Sequence, residues 1–223
     1  MAKTATPEPI RRVAVTGGPA AGKTAILDVL RRHLDERVVV LPEAATTLFA
    51  GGFPRPRDPR GIRLLQKTIY DIQHSLEEIF AIEHPTVPHI CDRGALDGAA
   101  YWPGGLDRFL GAMGTTIESE YARYEAVLFL ETSAYVKGAY AVDNRFRIES
   151  PSQARRVDQK LQKIWSGHAN YHQIGHETNF YEKVAVVLIK LHEILGVNHD
   201  TTPESGPARP AKKRAKKRTR KTP

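Results

Sequence analysis

The segment from Arg12 to Ala25, RVAVTGGPAAGKTA, constrains the fold more than any other part of the chain. It opens with a short, apolar, β-branched run of the kind that forms a buried parallel strand. It leads into Ala25, Ile26, Val29, Leu30 and Leu34, which recur at helical spacing. Between them, Gly17-x4-Gly22-Lys23-Thr24 fits the phosphate-binding loop pattern. Glycines let backbone N–H groups approach a phosphate that a Cβ would obstruct. A tight strand-to-helix turn is the plain alternative, but the strand before and the helix after supply the context that the motif requires.

Further apolar runs follow at 38–41, 89–91 and 126–130, with a weaker one at 171–174. Helical patterns fill the gaps. The longest carries Ile62, Leu65, Ile69, Ile72, Leu76 and Ile79, another runs through Trp165 and His168, and the last has Val184, Val187, Leu188, Leu191 and Leu195. Strands alternating with helices predict a doubly wound α/β domain around a five-stranded parallel sheet. Right-handed crossovers then leave all strand carboxyl ends along one edge, where ligands bind. The polar residues after each strand are therefore the candidate site.

After the first strand, backbone N–H groups of the loop Gly17, Gly18, Pro19, Ala20, Ala21, Gly22, Lys23, Thr24 and Ala25 would cradle phosphate oxygens at a helix N-terminus. Lys23 would reach the β/γ oxygens and Thr24 would ligate Mg²⁺. After the second strand comes Glu43, which is either an acid favoured by a helix dipole or a group that orients an acceptor hydroxyl. After the third, Asp92 is placed to hold Mg²⁺ and Arg93 to bridge phosphates; Asp97 either binds acceptor or caps the next helix. Past the fourth strand and Glu131, the arginines Arg145, Arg147, Arg155 and Arg156 crowd together, as in the helical lid of a small kinase, with Arg145 and Arg147 neutralising the transferred phosphoryl group. After the fifth, Thr178 and Asn179 lie in a polar turn that either touches a nucleotide base or caps the final helix. Nine histidines without consistent ligand spacing and the single Cys91 make a zinc site unexpected and an internal disulfide impossible.

The formal charge of +8 is localised. Residues 203–223 hold nine Lys/Arg and one Glu, whereas the other 202 residues balance 24 Lys/Arg against 24 Asp/Glu. The sequence thus divides into a flexible N-terminus (1–9), a charge-neutral domain (10–200) and a basic tail (201–223) expected to be disordered. The tail is a candidate tether for polyanions, nucleic acid or anionic lipid, or else a solvated extension. No apolar run approaches a membrane span, and with one cysteine and no secretory signal the setting expected is cytoplasmic.

Taken together, GGPAAGKT, PEAATTLF, CDRGALDGAAYW, VLFLET, the spacing RIE-x4-Ala154-x3-Asp158 with a later Trp and His, and Phe180-x-Glu182-Lys183 resemble a known family. It is the P-loop ATPase/kinase-like domain shared by the ribosylnicotinamide kinase part of the regulator NadR and the TRPL translocation defect proteins. The resemblance spans roughly residues 10–196 and is denser than the loop alone. It implies ATP or GTP as bound nucleotide, Mg²⁺, and a strand order like that of nucleoside and nucleotide kinases. Some relatives phosphorylate a nucleoside; others are described as nucleotide-binding proteins that engage phosphoinositides. The turn Gly175-His176-Glu177-Thr178-Asn179 departs from the Asp-Asn-Ser-Thr of the trafficking-type members, which leaves adenine or guanine open. With the first strand so near the start, the regulator's adenylyltransferase activity is not implied. The function expected is phosphoryl transfer to a small acceptor such as a nucleoside. A nucleotide-switched binding protein and a nucleic-acid-associated NTPase using the tail are the rivals.

Overall fold

The computed structural model describes residues 10–138, 140, 149–176 and 179–196. Five strands, β1 (Arg12–Thr16), β2 (Val39–Leu41), β3 (His89–Asp92), β4 (Ala126–Leu130) and β5 (Tyr171–Ile174), form one all-parallel sheet in the order β2-β3-β1-β4-β5. Each apolar run read from the sequence is a strand, within one residue at its ends. The helices are α1 (Lys23–Leu34), α2 (Ala44–Ala50), α3 (Pro59–Glu83), α4 (Gly105–Met113), α5 (Ile117–Tyr121), α6 (Pro151–Trp165) and α7 (Phe180–Leu195).

The strands alternate their side chains between two cores, as the two-residue period of a pleat requires. On one face Val13, Val15, Ile90, Ala126, Leu128 and Leu130 pack with α1 and α7. On the other, Ala14, Cys91, Val127 and Phe129 pack with the 3-10 turn Ala95–Ala100, with Phe109 of α4 and with Leu161, Ile164 and Trp165 of α6. Because both faces are covered, β1, β3 and β4 read as near-continuous apolar runs. Among the described residues no helix is long and apolar enough to cross a membrane.

Helix α3 departs from its apolar pattern. Its fully buried positions are Leu65, Gln66, Gln73 and Glu77, while Ile79 is 54% exposed. The reason is a polar network beneath the helix. Glu77 accepts from Gln73 (3.0 Å), from the Tyr124 hydroxyl (2.7 Å) and from Arg123. Glu120 accepts from Tyr70 (2.6 Å) and Thr115 (2.8 Å) and lies 3.3 Å from His74. Tyr124 passes the network on to the sheet edge by accepting from the Ala95 amide at 2.8 Å.

Candidate active site

The glycine-rich loop sits where the central strand β1 gives way to α1. Gly17 (φ 138°) and Gly22 (φ 86°) occupy backbone conformations closed to most side chains, and a Cβ on Gly17 would stand 1.9 Å from the Leu130 carbonyl oxygen. Ala20 and Arg93 also have positive φ, 63° and 81°. Such strain in non-glycine residues costs on the order of 1–3 kcal/mol and persists where surrounding contacts impose it. For the loop, the contacts come from the segment after β4 and from α6. Thr132 donates its hydroxyl to the Pro19 carbonyl, Ser133 N–H donates to the Ala20 carbonyl (3.2 Å), and Gly18 N–H donates to the Asp158 carboxylate (2.9 Å).

Held in this way, the loop leaves donors free. The amides of Ala20, Gly22, Lys23, Thr24 and Ala25 have no acceptor among the described residues. They surround the start of α1, where the helix dipole favours negative charge. Lys23 is buried and donates Nζ to the carbonyls of Gly17 (2.7 Å) and Gly18 (2.9 Å). Burial, with Arg93 nearby, lowers its pKa to about 7 against the pull of Glu43, Asp92 and Asp97. Arg93 donates Nη1 to Gly17 O (2.7 Å) and to Asp97 (3.2 Å), and Nε to Glu43 (3.0 Å). Burial works against its charge, but Glu43, Tyr101 and the two aspartates raise its pKa overall.

Three carboxylates meet here with different fates. Glu43 stands at the N-terminus of α2, bonded to Arg93 and to the Thr46 hydroxyl. Burial alone would raise its pKa, but Arg93, Thr46 and Lys23 hold it below the usual carboxylate range. It thus stands at the helix start and faces the site at once. Asp97 is consumed structurally, accepting from the Thr16 hydroxyl (2.6 Å) and Trp165 Nε1 (2.7 Å) as well as Arg93. Asp92 is buried yet makes no hydrogen bond or ion pair among the described residues, and burial with Glu43 beside it raises its pKa to about 6. An unpartnered buried carboxylate beside an anion cradle suits a cation. Thr24, exposed at the start of α1, lines the same cavity. These donors fit Mg²⁺ as it is held with a nucleotide phosphate.

That cavity has a volume of about 710 Å³. From the loop it runs past Glu43, Asp92 and Arg93 on to α2 and α3, where Phe49, Ile62, Leu65, Gln66 and Tyr70 line it. Arg55 reaches it stacked over the Phe49 ring at 3.6 Å, but Arg57 and Arg60 do not line it. Arg155, read as part of an arginine cluster, instead ties α6 to the Ala134 carbonyl at 2.7 Å. Asn179 is the N-cap of α7, its side chain accepting from Glu182 N–H at 3.0 Å. Glu131 accepts from Gln173, His176 and the His176 amide at the β4–β5 flank. Arg145, Arg147, Thr178 and the tail 203–223 lie outside the described residues.

Two residues were not legible as site components. Asp158 of α6 accepts from both Gly18 N–H (2.9 Å) and Thr132 N–H (3.1 Å), joining the loop to the end of β4. The Ala154-x3-Asp158 spacing was its only trace in the sequence. Trp165 fills the space over Gly94, where a Cβ would lie 2.4 Å from its ring, and it orients Asp97.

Residues 12–182, most of the chain, match an AAA domain family (AAA_28) of P-loop NTPase type. No curated protein matches. The matched segment begins with β1 and contains the loop, both flanks of its support and the cavity, and the chain therefore belongs to this AAA domain family and carries its P-loop nucleotide-binding domain.

Proposed function

We propose that the protein transfers the terminal phosphoryl group of ATP or GTP, with Mg²⁺, to a hydroxyl of a small acceptor such as a nucleoside. The observation that carries this reading is the course of the cavity. The sheet order puts β2 and β3 on one side of the loop and β4 and β5 on the other. The lining residues come from the loop, from the ends of β2 and β3 and from α2 and α3; apart from Glu149, none follows β4 or β5. The cavity on the β2–β3 side supports a pocket for an acceptor, and in this reading the nucleotide base lies towards the polar turn after β5. A switch protein has no need of that pocket, whereas a phosphotransferase does. The resemblance to the ribosylnicotinamide kinase type points the same way.

In this reading the free loop amides and Lys23 hold the β and γ phosphates. Mg²⁺, held by Thr24 and Asp92, would neutralise charge on the phosphate oxygens. The acceptor oxygen bonds to the γ phosphorus as the bond to the β–γ bridging oxygen breaks; the diphosphate leaves, and the hydroxyl proton, held towards Glu43 at first, departs late to Glu43 or to solvent. Glu43, kept ionised by Arg93, orients the acceptor hydroxyl; its low pKa suits it to positioning better than to taking a proton early. Arg93, with Arg145 and Arg147, balances the charge on the transferred group. The test is a diphosphate-release screen of the full chain with ATP or GTP against nucleosides, mononucleotides and vitamins. Acceptor-dependent release supports transfer. Slow release indifferent to every acceptor would refute it in favour of a nucleotide switch.

A further inference from the structure

Thirteen polar or charged side chains are buried among the described residues, and eleven of them are hydrogen-bonded or ion-paired. The two exceptions are Asp92 and Gln66, and both line the same cavity. Asp92 belongs with the phosphates. Gln66 does not: it lies on α3, 8% exposed, on the wall away from the loop. The Gln66 amide is not among the fully buried orphan groups of the described residues; it opens into the cavity and is available there. Its neighbour on the same helix face shows what a structural glutamine does there, since Gln73 donates to Glu77 (3.0 Å) and to the Arg93 carbonyl (3.3 Å). Seven residues of helix place Gln66 about 10 Å along the axis from Gln73. Both glutamines line the one cavity that also holds Glu43 and Arg93.

The surroundings of Gln66 narrow what it can bind. Ile62, Leu65 and Ile69 on its own helix and the rings of Phe49, Tyr70 and Tyr101 make an apolar slot around it. The α3 residues of this wall bear no charge, and the charged groups of the cavity nearest to it are Arg55, over the Phe49 ring, and Glu149. Across the slot the amide oxygen faces Gly98, and a Cβ on that glycine would lie only 3.1 Å from it. The absence of a side chain at Gly98 lets the amide oxygen pack against the backbone of the turn.

We propose that Gln66 is the specificity determinant of the acceptor pocket, its amide pairing with the donor–acceptor edge of an uncharged planar ring, so that the acceptor is nucleoside-like. This rests on the transfer reading above. A primary amide offers an acceptor and a donor side by side, which complements a lactam, amidine or carboxamide edge. The aliphatic face of α3 and the aromatic rings take the flat faces of the ring.

The experiment uses the full chain and its Gln66→Met and Gln66→Glu variants. Uridine, cytidine, inosine and guanosine are titrated calorimetrically, with D-ribose as the ringless control, and turnover with ATP or GTP is followed in parallel. In Gln66→Met the best nucleoside should bind about 10- to 100-fold more weakly. Its thermal midpoint should stay close to that of the wild type, because the amide bonds to nothing else among the described residues. Gln66→Glu should shift preference towards rings whose edge donates. Unchanged nucleoside affinity and order in both variants would overturn the assignment. So would a large loss of stability in both, which would show that the amide is spent within the fold. Failure of all four nucleosides to bind the wild type at millimolar concentration would overturn it as well. Nucleoside binding without turnover would instead remove the transfer reaction and leave Gln66 its role.

Discussion

Asp158 offers the sharpest test of how the loop is held. One carboxylate oxygen accepts from two buried backbone amides, Gly18 N–H at 2.9 Å and Thr132 N–H at 3.1 Å. Asp158→Ala removes that acceptor and strands both donors where water does not reach. At about 1–3 kcal/mol per orphaned donor, less what is regained by no longer burying a carboxylate, the expected loss is about 2–4 kcal/mol. Asp158→Asn keeps an oxygen in the same place and should cost about 1 kcal/mol or less. Urea unfolding of the two variants measures both. The functional consequence follows from Gly18, which the carboxylate pins inside the loop: nucleotide affinity should fall at least about tenfold in the alanine variant and little in the asparagine variant. The pH dependence has a definite sign. Burial raises the Asp158 pKa despite the two amides. The folded state therefore holds a proton where the unfolded state has released it, and stability from this group declines as pH rises from the unfolded value, near 3.8, through the folded one. Asp158→Asn should flatten that decline. An alanine variant with wild-type stability and wild-type nucleotide affinity would refute the account.

Lys23→Ala should weaken nucleotide binding by about 10²-fold or more in titration calorimetry, yet fold normally, because it removes a buried cation whose pKa the site already depresses. Asp92→Asn should cut Mg²⁺-dependent turnover by at least about 10²-fold while leaving Mg²⁺-free nucleotide binding little changed; an active variant would move the metal role elsewhere. Gly94→Ala drives a methyl to within 2.4 Å of the Trp165 ring and should cost about 1–3 kcal/mol in chemical denaturation, through displacement of the indole that orients Asp97. Glu77→Ala should destabilise by about 3–5 kcal/mol, since it orphans Arg123 and the Tyr124 hydroxyl, and a Glu77→Leu/Arg123→Met double variant should recover part of that loss.

The strands were legible because burial on both faces writes them as short apolar runs, and α1 because its periodicity begins at a recognisable loop. The phase of α3 was not. An apolar stripe through Ile62, Leu65 and Ile69 predicts the helix, but nothing in that period says that its most buried positions include Gln66, Gln73 and Glu77. The burial of Glu77 depends on Arg123 and Tyr124, some fifty residues away in sequence. Lys23, Asp92, Arg93 and Glu43 could be placed beforehand because each lies at or just after a strand end, and parallel topology collects strand ends along one edge. Asp158 and Trp165 come from inside a helix, where an acid or an indole has no reason to be read as part of a site. Even Asp97 could be placed near the site but not given a role, since its three partners come from β1, α6 and the residue four before it.

The accounting of buried polar groups separates support from chemistry without reference to any relative. Asp97, Glu77, Glu120 and Asp158 are each satisfied by two or more protein donors, so their electrostatic capacity is spent on holding the loop, the sheet edge and α3 in place. Other buried orphan atoms belong to side chains that are paired through another atom or held in an ion pair, as His74 is with Glu120. Only Asp92 and Gln66 are buried with nothing bound to them among the described residues, and the loop amides stand free beside Asp92. A carboxylate, an amide and an anion cradle that bond nothing else among the described residues remain available to ligands around one cavity, and ligand binding would stabilise the folded state. The three groups differ in chemistry: amide donors for anionic oxygen at the loop, a carboxylate at Asp92, and a neutral donor–acceptor amide at Gln66. A metal–nucleotide complex satisfies the first two and cannot satisfy the third from the same position, since Gln66 lies on the α3 wall. Under the proposed transfer reading, the amide at Gln66 would meet a second, uncharged ligand, and binding of such a ligand would separate a phosphotransferase from a nucleotide switch.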